Sequence, residues 1–192
     1  MKKFLASALM LLAASTATFA QHAVGSFSLQ PKAGISIADM TDTQGTTSRI
    51  GFVGGLEGEY QASDIFSLSL GVNYSQEGFK MKNSDDKVKL DYINVPILAN
   101  VYLTKGLAVK VGLQPGFNVG NSVTVNGNTT SSSKKDYDGI KSVALSIPVG
   151  LSYEISNVVL DARYNWGVTK AFDGLDSKNS VFQITIGYKF QL

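Results

Sequence analysis

IFSLSLGVNYSQ, Ile65 to Gln76, is the stretch that decides the fold. Phe66, Leu68, Leu70, Val72 and Tyr74 alternate with Ser67, Ser69, Gly71, Asn73 and Ser75, the period of two that marks a strand with one apolar and one polar face. The polar residues are small and uncharged. A face meeting water would be crowded with Lys, Glu and Asp, so the small side is expected to fill a narrow interior and the bulky side to meet acyl chains.

The same alternation recurs in FSLQPKAGISI (Phe27 to Ile37), IGFVGGLEGEYQ (Ile50 to Gln61), YINVPILANVYL (Tyr92 to Leu103) and LAVKVGLQPGFN (Leu107 to Asn118). It recurs again in VALSIPVGLSYE (Val143 to Glu154), VVLDARYNWG (Val158 to Gly167) and SVFQITIGYKFQL (Ser180 to Leu192). Eight strands result, each near the 9 to 11 residues that cross an outer membrane when tilted. Glycines such as Gly34, Gly55, Gly71, Gly112, Gly150 and Gly187 sit on the polar face. Tyr60, Phe66, Tyr74, Phe117, Trp166 and Tyr188 lie on the apolar face near strand ends, where aromatic girdles form.

Connector lengths set the topology. ASD, TKG and SN are tight links, and the alternate links, 38–49, 77–87, 119–141 and 168–179, are long. Short turns at one end and long loops at the other describe an even-stranded, antiparallel up-and-down barrel with short periplasmic turns and long extracellular loops. Both termini then fall on the periplasmic side, and the last strand closes on the first. A soluble eight-stranded carrier of the lipocalin type alternates as well, but inside out. A narrow channel for small solutes is the other alternative.

MKKFLASALMLLAASTATFA, residues 1–20, has two lysines, an apolar run and Thr18 and Ala20 at its end. It is expected to be a cleaved signal peptide, leaving 21–192 as the barrel domain. From Phe4 to Ala20 the run has 17 residues, short of the roughly 20 that span a bilayer as a helix. Without Lys2 and Lys3 the chain carries 15 basic and 15 acidic residues. That balance argues against a nucleic-acid partner, which wants a basic excess. The absence of cysteine excludes disulfides, thiolate zinc sites and an acylated lipoprotein cysteine.

The export signal, the eight strands and YINVPILANVYL followed by GLQPGF resemble the porin-like outer-membrane β-barrel domain family of Gram-negative bacteria, which includes PorT-like proteins. Tyr92, Val95 and Pro96 match the family's pattern of Tyr, aliphatic and Pro. Members often carry Glu and a basic residue where Asn94 and Asn100 stand, so no charged role is carried over to this strand. The resemblance implies a location in the outer membrane. TIGYKFQL, Thr185 to Leu192, is similar to the signal read by the outer-membrane insertion machinery, through Thr185, Gly187, Phe190 and Leu192.

The inward register places Lys32, Glu57, Glu59, Lys110, Glu154, Asp161, Arg163 and Lys189 in the lumen. An eight-stranded interior is filled by side chains, and charges buried there must pair. The expectation is an ion-pair network, with Lys32 facing Glu57, that plugs the barrel. The competing expectation is a gated pore whose pairs rearrange.

No catalytic residue, cofactor site or metal site is expected. His22 is the sole histidine and stands near the mature terminus, and no glycine-rich cradle precedes a helix. Asp85, Asp86 and Asp91, like Asp136 and Asp138, are read as solvated loop acids rather than a Ca²⁺ site. Specific binding of a protein or ligand is expected in the long loops, above all in VNGNTTSSSKKDYDG, Val125 to Gly139, whose composition suggests mobility.

Two local features strain the pattern. Pro31, Pro96, Pro115 and Pro148 all lie inside strands, where bulges or irregular pairing are expected. In the fourth strand, Ile93, Val95, Ile97, Ala99 and Val101 are set outward with Asn94, Pro96 and Asn100 inward, while VKLDY, Val88 to Tyr92, fits the opposite phase.

Overall fold

The computed structural model describes residues 23–41, 45–82, 86–125, 128–132, 141–170 and 177–192. The expected signal peptide, His22, Asp85, Asp136, Asp138 and most of the 125–139 segment lie outside these residues.

Strands β1 (Phe27–Met40), β2 (Thr46–Ser63), β3 (Phe66–Met81), β4 (Lys87–Asn94), β5 (Ile97–Tyr102) and β6 (Leu107–Val125) are followed by β7 (Asn128–Ser132), β8 (Val143–Ile155), β9 (Val158–Lys170), β10 (Lys178–Tyr188) and β11 (Phe190–Gln191). They make eight walls: β4 and β5 are one wall interrupted at Val95 and Pro96, β10 and β11 another interrupted at Lys189. The short β7 folds back on the outer end of β6. Every neighbouring pair is antiparallel, and the walls follow in chain order.

Closure follows from the last strand. β10 pairs β1 from Lys32 opposite Gly187 to Met40 opposite Asn179, and β11 continues the same register with Leu29 opposite Phe190. The Leu192 N–H donates to the Phe27 carbonyl at 3.0 Å. A sheet without edges leaves no unpaired row of peptide groups for the acyl layer, where each would cost several kcal/mol.

The tight links sit where expected, at Asp64 and Ile65, at 103–106 and at Ser156 and Asn157. Ser156 takes φ 58°, the left-handed conformation that lets a two-residue link reverse the chain. The Asn157 carbonyl accepts the Lys189 N–H at 2.7 Å, and its side-chain amide donates to the Lys189 carbonyl at 2.9 Å. This turn therefore fixes the point at which β10 passes into β11.

Burial decides which face is outside. Leu70 is 57% exposed, while Ser67, Ser75 and Asn100 are 0% exposed. Leu56, Val72, Leu113, Leu151, Leu160 and Ile186 share the outward face, and Glu57, Asn73, Lys110, Asp161 and Arg163 share the interior. This is the reverse of a lipocalin, and it removes the soluble-carrier alternative.

Several expectations about length and phase are corrected. β2, β3 and β6 run for 18, 16 and 19 residues, beyond what a bilayer needs, and with β9 reaching Lys170 and β10 starting at Lys178 the strands take residues from all four expected long links. Part of the expected mobile segment is ordered, with Asn128 to Ser132 paired to Val125 to Asn121. The phase of VKLDY does not invert: Leu90 and Tyr92 point inward with Asn94. Met40 and Phe79 are buried together with Val88 against them. This apolar cluster supports the strand extensions from inside, which a rule of apolar residues outward could not anticipate.

The prolines interrupt ladders without shifting register. Pro31 lies opposite the break between β10 and β11. Pro96 lies in the break between β4 and β5, where Val95 N–H donates to the Pro115 carbonyl at 2.8 Å and Gly71 N–H to the Pro96 carbonyl at 2.9 Å. Pro148 stands where the β6–β8 ladder skips from the Val111–Val149 pair to the Gln114–Ser146 pair. The register shifts fall elsewhere, including the β4–β6 step between Asp91 and Tyr92.

Crowding explains the inward glycines. A Cβ on Gly112 would stand 1.9 Å from the Ile97 carbonyl oxygen, and backbone cannot step aside. A Cβ on Gly120 would come no closer than 3.6 Å to its nearest neighbour, the Asp91 carboxylate. Gly112→Ala is therefore expected to lower stability by about 1–3 kcal/mol and Gly120→Ala to change it little, measured by denaturant unfolding in lipid vesicles. On the outer face, Leu70→Arg is expected to cost about 2–4 kcal/mol in the same assay, the price of a cation at the bilayer midplane.

Candidate functional site

The strand period of two carries one inward side chain from each wall to every level of the barrel. From β1 comes Lys32, from β2 Glu57 and Glu59, from β6 Lys110, from β8 Glu154, from β9 Asp161 and Arg163, and Lys189 comes from the break after β10. All eight are buried.

Two connected layers result. In the first, Glu57 receives three cations: Lys32 on Oε2, Lys110 on Oε1 at 2.9 Å and the Arg163 Nη2 on Oε2 at 3.3 Å. Asp161 Oδ2 accepts from Arg163 Nη2 at 2.9 Å and lies 3.2 Å from Lys110 Nζ. In the second layer, Lys189 Nζ stands 3.0 Å from Glu59 Oε2 and 2.8 Å from Glu154 Oε2. Ser67 Oγ and the Tyr102 hydroxyl both donate to Glu59 Oε1. Asn100 Nδ2 in turn donates to Ser67 Oγ at 2.9 Å and Ser69 Oγ at 3.3 Å.

The charges compensate across the layers. The first has three cations and two carboxylates, the second one cation and two carboxylates. Each layer alone would bury a net charge, and stacking them next to one another removes it. Because the partners come from β1, β2, β6, β8 and β9, the bridges also tie walls that share no ladder. Glu57 with Lys110 and Glu57 with Arg163 span the lumen.

Sequence reasoning missed Ser67 and Tyr102 as partners of Glu59, although both occupy inward positions of strands it had in phase. It also left Glu77 and Arg49 in loops. Glu77 is inside the barrel on extended β3, and Arg49 is buried on β2 with its Nη1 donating to the Glu77 carbonyl. Among the described residues no group of three or more His, Cys, Asp or Glu side chains is placed to hold a metal ion. Of the expected insertion signal, Thr185 is buried, while Phe190 and Leu192 are exposed. Gly187 lies on the inward face, where a Cβ would meet Gln30 Nε2 at 2.5 Å.

Small closed section, outward leucines and an inward polar lining define a transmembrane barrel of the outer-membrane class. The chain belongs to the outer membrane protein beta-barrel domain family, whose model matches residues 19–173. Among solved structures it is similar to Neisserial surface protein A, with 21% identity, a TM-score of 0.57 and coverage of 85% of this chain and 97% of that one. It is also similar to Ail, the attachment invasion locus protein of Yersinia pestis, solved in complex with the heparin analogue sucrose octasulfate. That likeness has 18% identity, a TM-score of 0.55 and coverage of 88% of this chain and 100% of that one. At these identities the likeness is one of fold. No match is found among curated proteins.

Glu57 is the member on which the first layer depends. Glu57→Gln keeps the shape but leaves Lys32, Lys110 and Arg163 with Asp161 alone, and is expected to cost about 3–5 kcal/mol in vesicle unfolding. Tyr102→Phe removes one of three groups that meet Glu59 and is expected to cost roughly 1.5–3 kcal/mol, the range for a hydrogen bond to a charged group.

Proposed function

We propose that the protein is a closed-lumen outer-membrane scaffold that presents its outer loops for binding, with no transport and no catalysis of its own. The observation that carries this reading is Glu57 held by Lys32, Lys110 and Arg163 across the section of the barrel. An eight-stranded interior has room for side chains and little else, and this knot occupies it. A gated pore would have to break several buried pairs at once, each at a cost of several kcal/mol.

The remaining parts follow from location. Residues 1–20 direct export and are removed. Thr185, Gly187, Phe190 and Leu192 on the terminal strand serve the insertion machinery before that strand closes on β1. The finer kinship with PorT-like proteins rests on Tyr92, Val95 and Pro96 in YINVPILANVYL. Binding by a protein or ligand is assigned to the long loops, with 125–139 foremost, because a rigid barrel holds such segments in place.

Planar-bilayer recording tests the plug. The wild type is expected to show no stable open conductance, and a steady open state would overturn the scaffold reading in favour of the narrow channel. Phe190→Ala with Leu192→Ala is expected to reduce assembly into the outer membrane in cells while leaving refolding of the purified chain in detergent unchanged. Equal losses in both would assign these residues to closure alone.

A further inference from the structure

Outward of the salt-bridge layers the lumen changes character. A cavity of about 20 Å³ lies there, lined by Glu77, Tyr92, Gln114 and Asn165 among others. Such a volume holds one particle the size of a water molecule. Glu77 is 5% exposed, and its carboxylate accepts Asn94 Nδ2 at 3.1 Å on Oε1 and Asn179 Nδ2 at 3.1 Å on Oε2. Both donors are neutral amides. The nearby Arg49 bonds the Glu77 main-chain carbonyl instead. Among the described residues, Glu77 is thus a buried carboxylate outside every ion pair.

Three other residues that line the same cavity carry an unpartnered oxygen. The Tyr92 hydroxyl, Gln114 Oε1 and Asn165 Oδ1 are each buried and lack a hydrogen-bond partner. Buried oxygens without partners are costly, and a buried anion without a cation costs more. One occupant answers both needs.

We propose that this cavity binds a single dehydrated alkali cation, coordinated by the Glu77 carboxylate and by the oxygens of Tyr92, Gln114 and Asn165. Hard cations take carboxylate, amide and hydroxyl oxygens. One carboxylate balances one positive charge, so a divalent ion would leave the site with an excess. A proton on Glu77 would neutralise the carboxylate but supply a bond to only one of the three oxygens. A water molecule would bridge oxygens and leave the anion uncompensated.

Tl⁺ is the probe, as a heavy alkali-like cation. In crystals of the protein purified from outer membranes in detergent and soaked with a thallous salt, one anomalous peak is expected among these four side chains in the wild type. None is expected in Glu77→Gln. At constant ionic strength, replacing Na⁺ and K⁺ by tetramethylammonium is expected to lower the thermal unfolding midpoint of the wild type and leave that of Glu77→Gln unchanged. No peak in the wild type, a peak that persists in Glu77→Gln, or equal midpoint responses would overturn the proposal. Should Glu77→Gln fail to fold, the wild-type crystal decides alone.

Discussion

A peptide group in the acyl layer has no water to turn to, and this single constraint shapes the whole chain. It requires each strand to have two neighbours, which only a closed sheet gives. β11 pairs with the base of β1, and the Asn157 turn of the β8–β9 hairpin grips Lys189 on both its N–H and its carbonyl. The four strand prolines, each lacking an N–H, are placed at gaps in the ladders where the register passes through undisturbed.

Closure at eight strands then dictates the interior. An eight-stranded section is filled largely by its inward side chains, and at Gly112 even a methyl group would collide with the facing backbone. The charged residues of the two layers are tolerated because the lumen supplies them with partners from walls far apart in sequence. Glu57 with Arg163 joins β2 to β9, and Lys189 with Glu59 joins the terminal wall to β2. Cross-lumen bridges of this kind brace the cylinder in the direction that ladder hydrogen bonds leave soft.

Much of this is legible in the sequence. Leu68, Leu70 and Val72 against Ser67, Ser69 and Asn73 fix both the strand and its outer face, because period and residue size are local properties. The inward phase of Lys32, Glu57, Lys110 and Arg163 follows by counting in twos. The Lys32–Glu57 pair between neighbouring walls follows as well, but the pairing of Glu57 with Lys110 and Arg163 across the lumen depends on stagger between walls, which the sequence does not display. The outer ends escaped for a different reason. Beyond the bilayer the rule of apolar residues outward lapses, so Leu90 turns inward, and Met40 and Phe79 turn inward to build a small water-shielded cluster with Val88 against it. Their residues looked like loop or like the wrong phase.

That cluster has a mechanical consequence. From Tyr74 to Met81 the strand β3 runs on for about 23 Å of contour, at roughly 3.3 Å per residue. Tilted as barrel strands are, this lifts its tip on the order of 17 Å above the level of Tyr74. The outer ends of the described strands thus form a stiff chimney that stands clear of the headgroups. Whatever meets those strand ends approaches a raised rim, clear of the surrounding glycolipid floor.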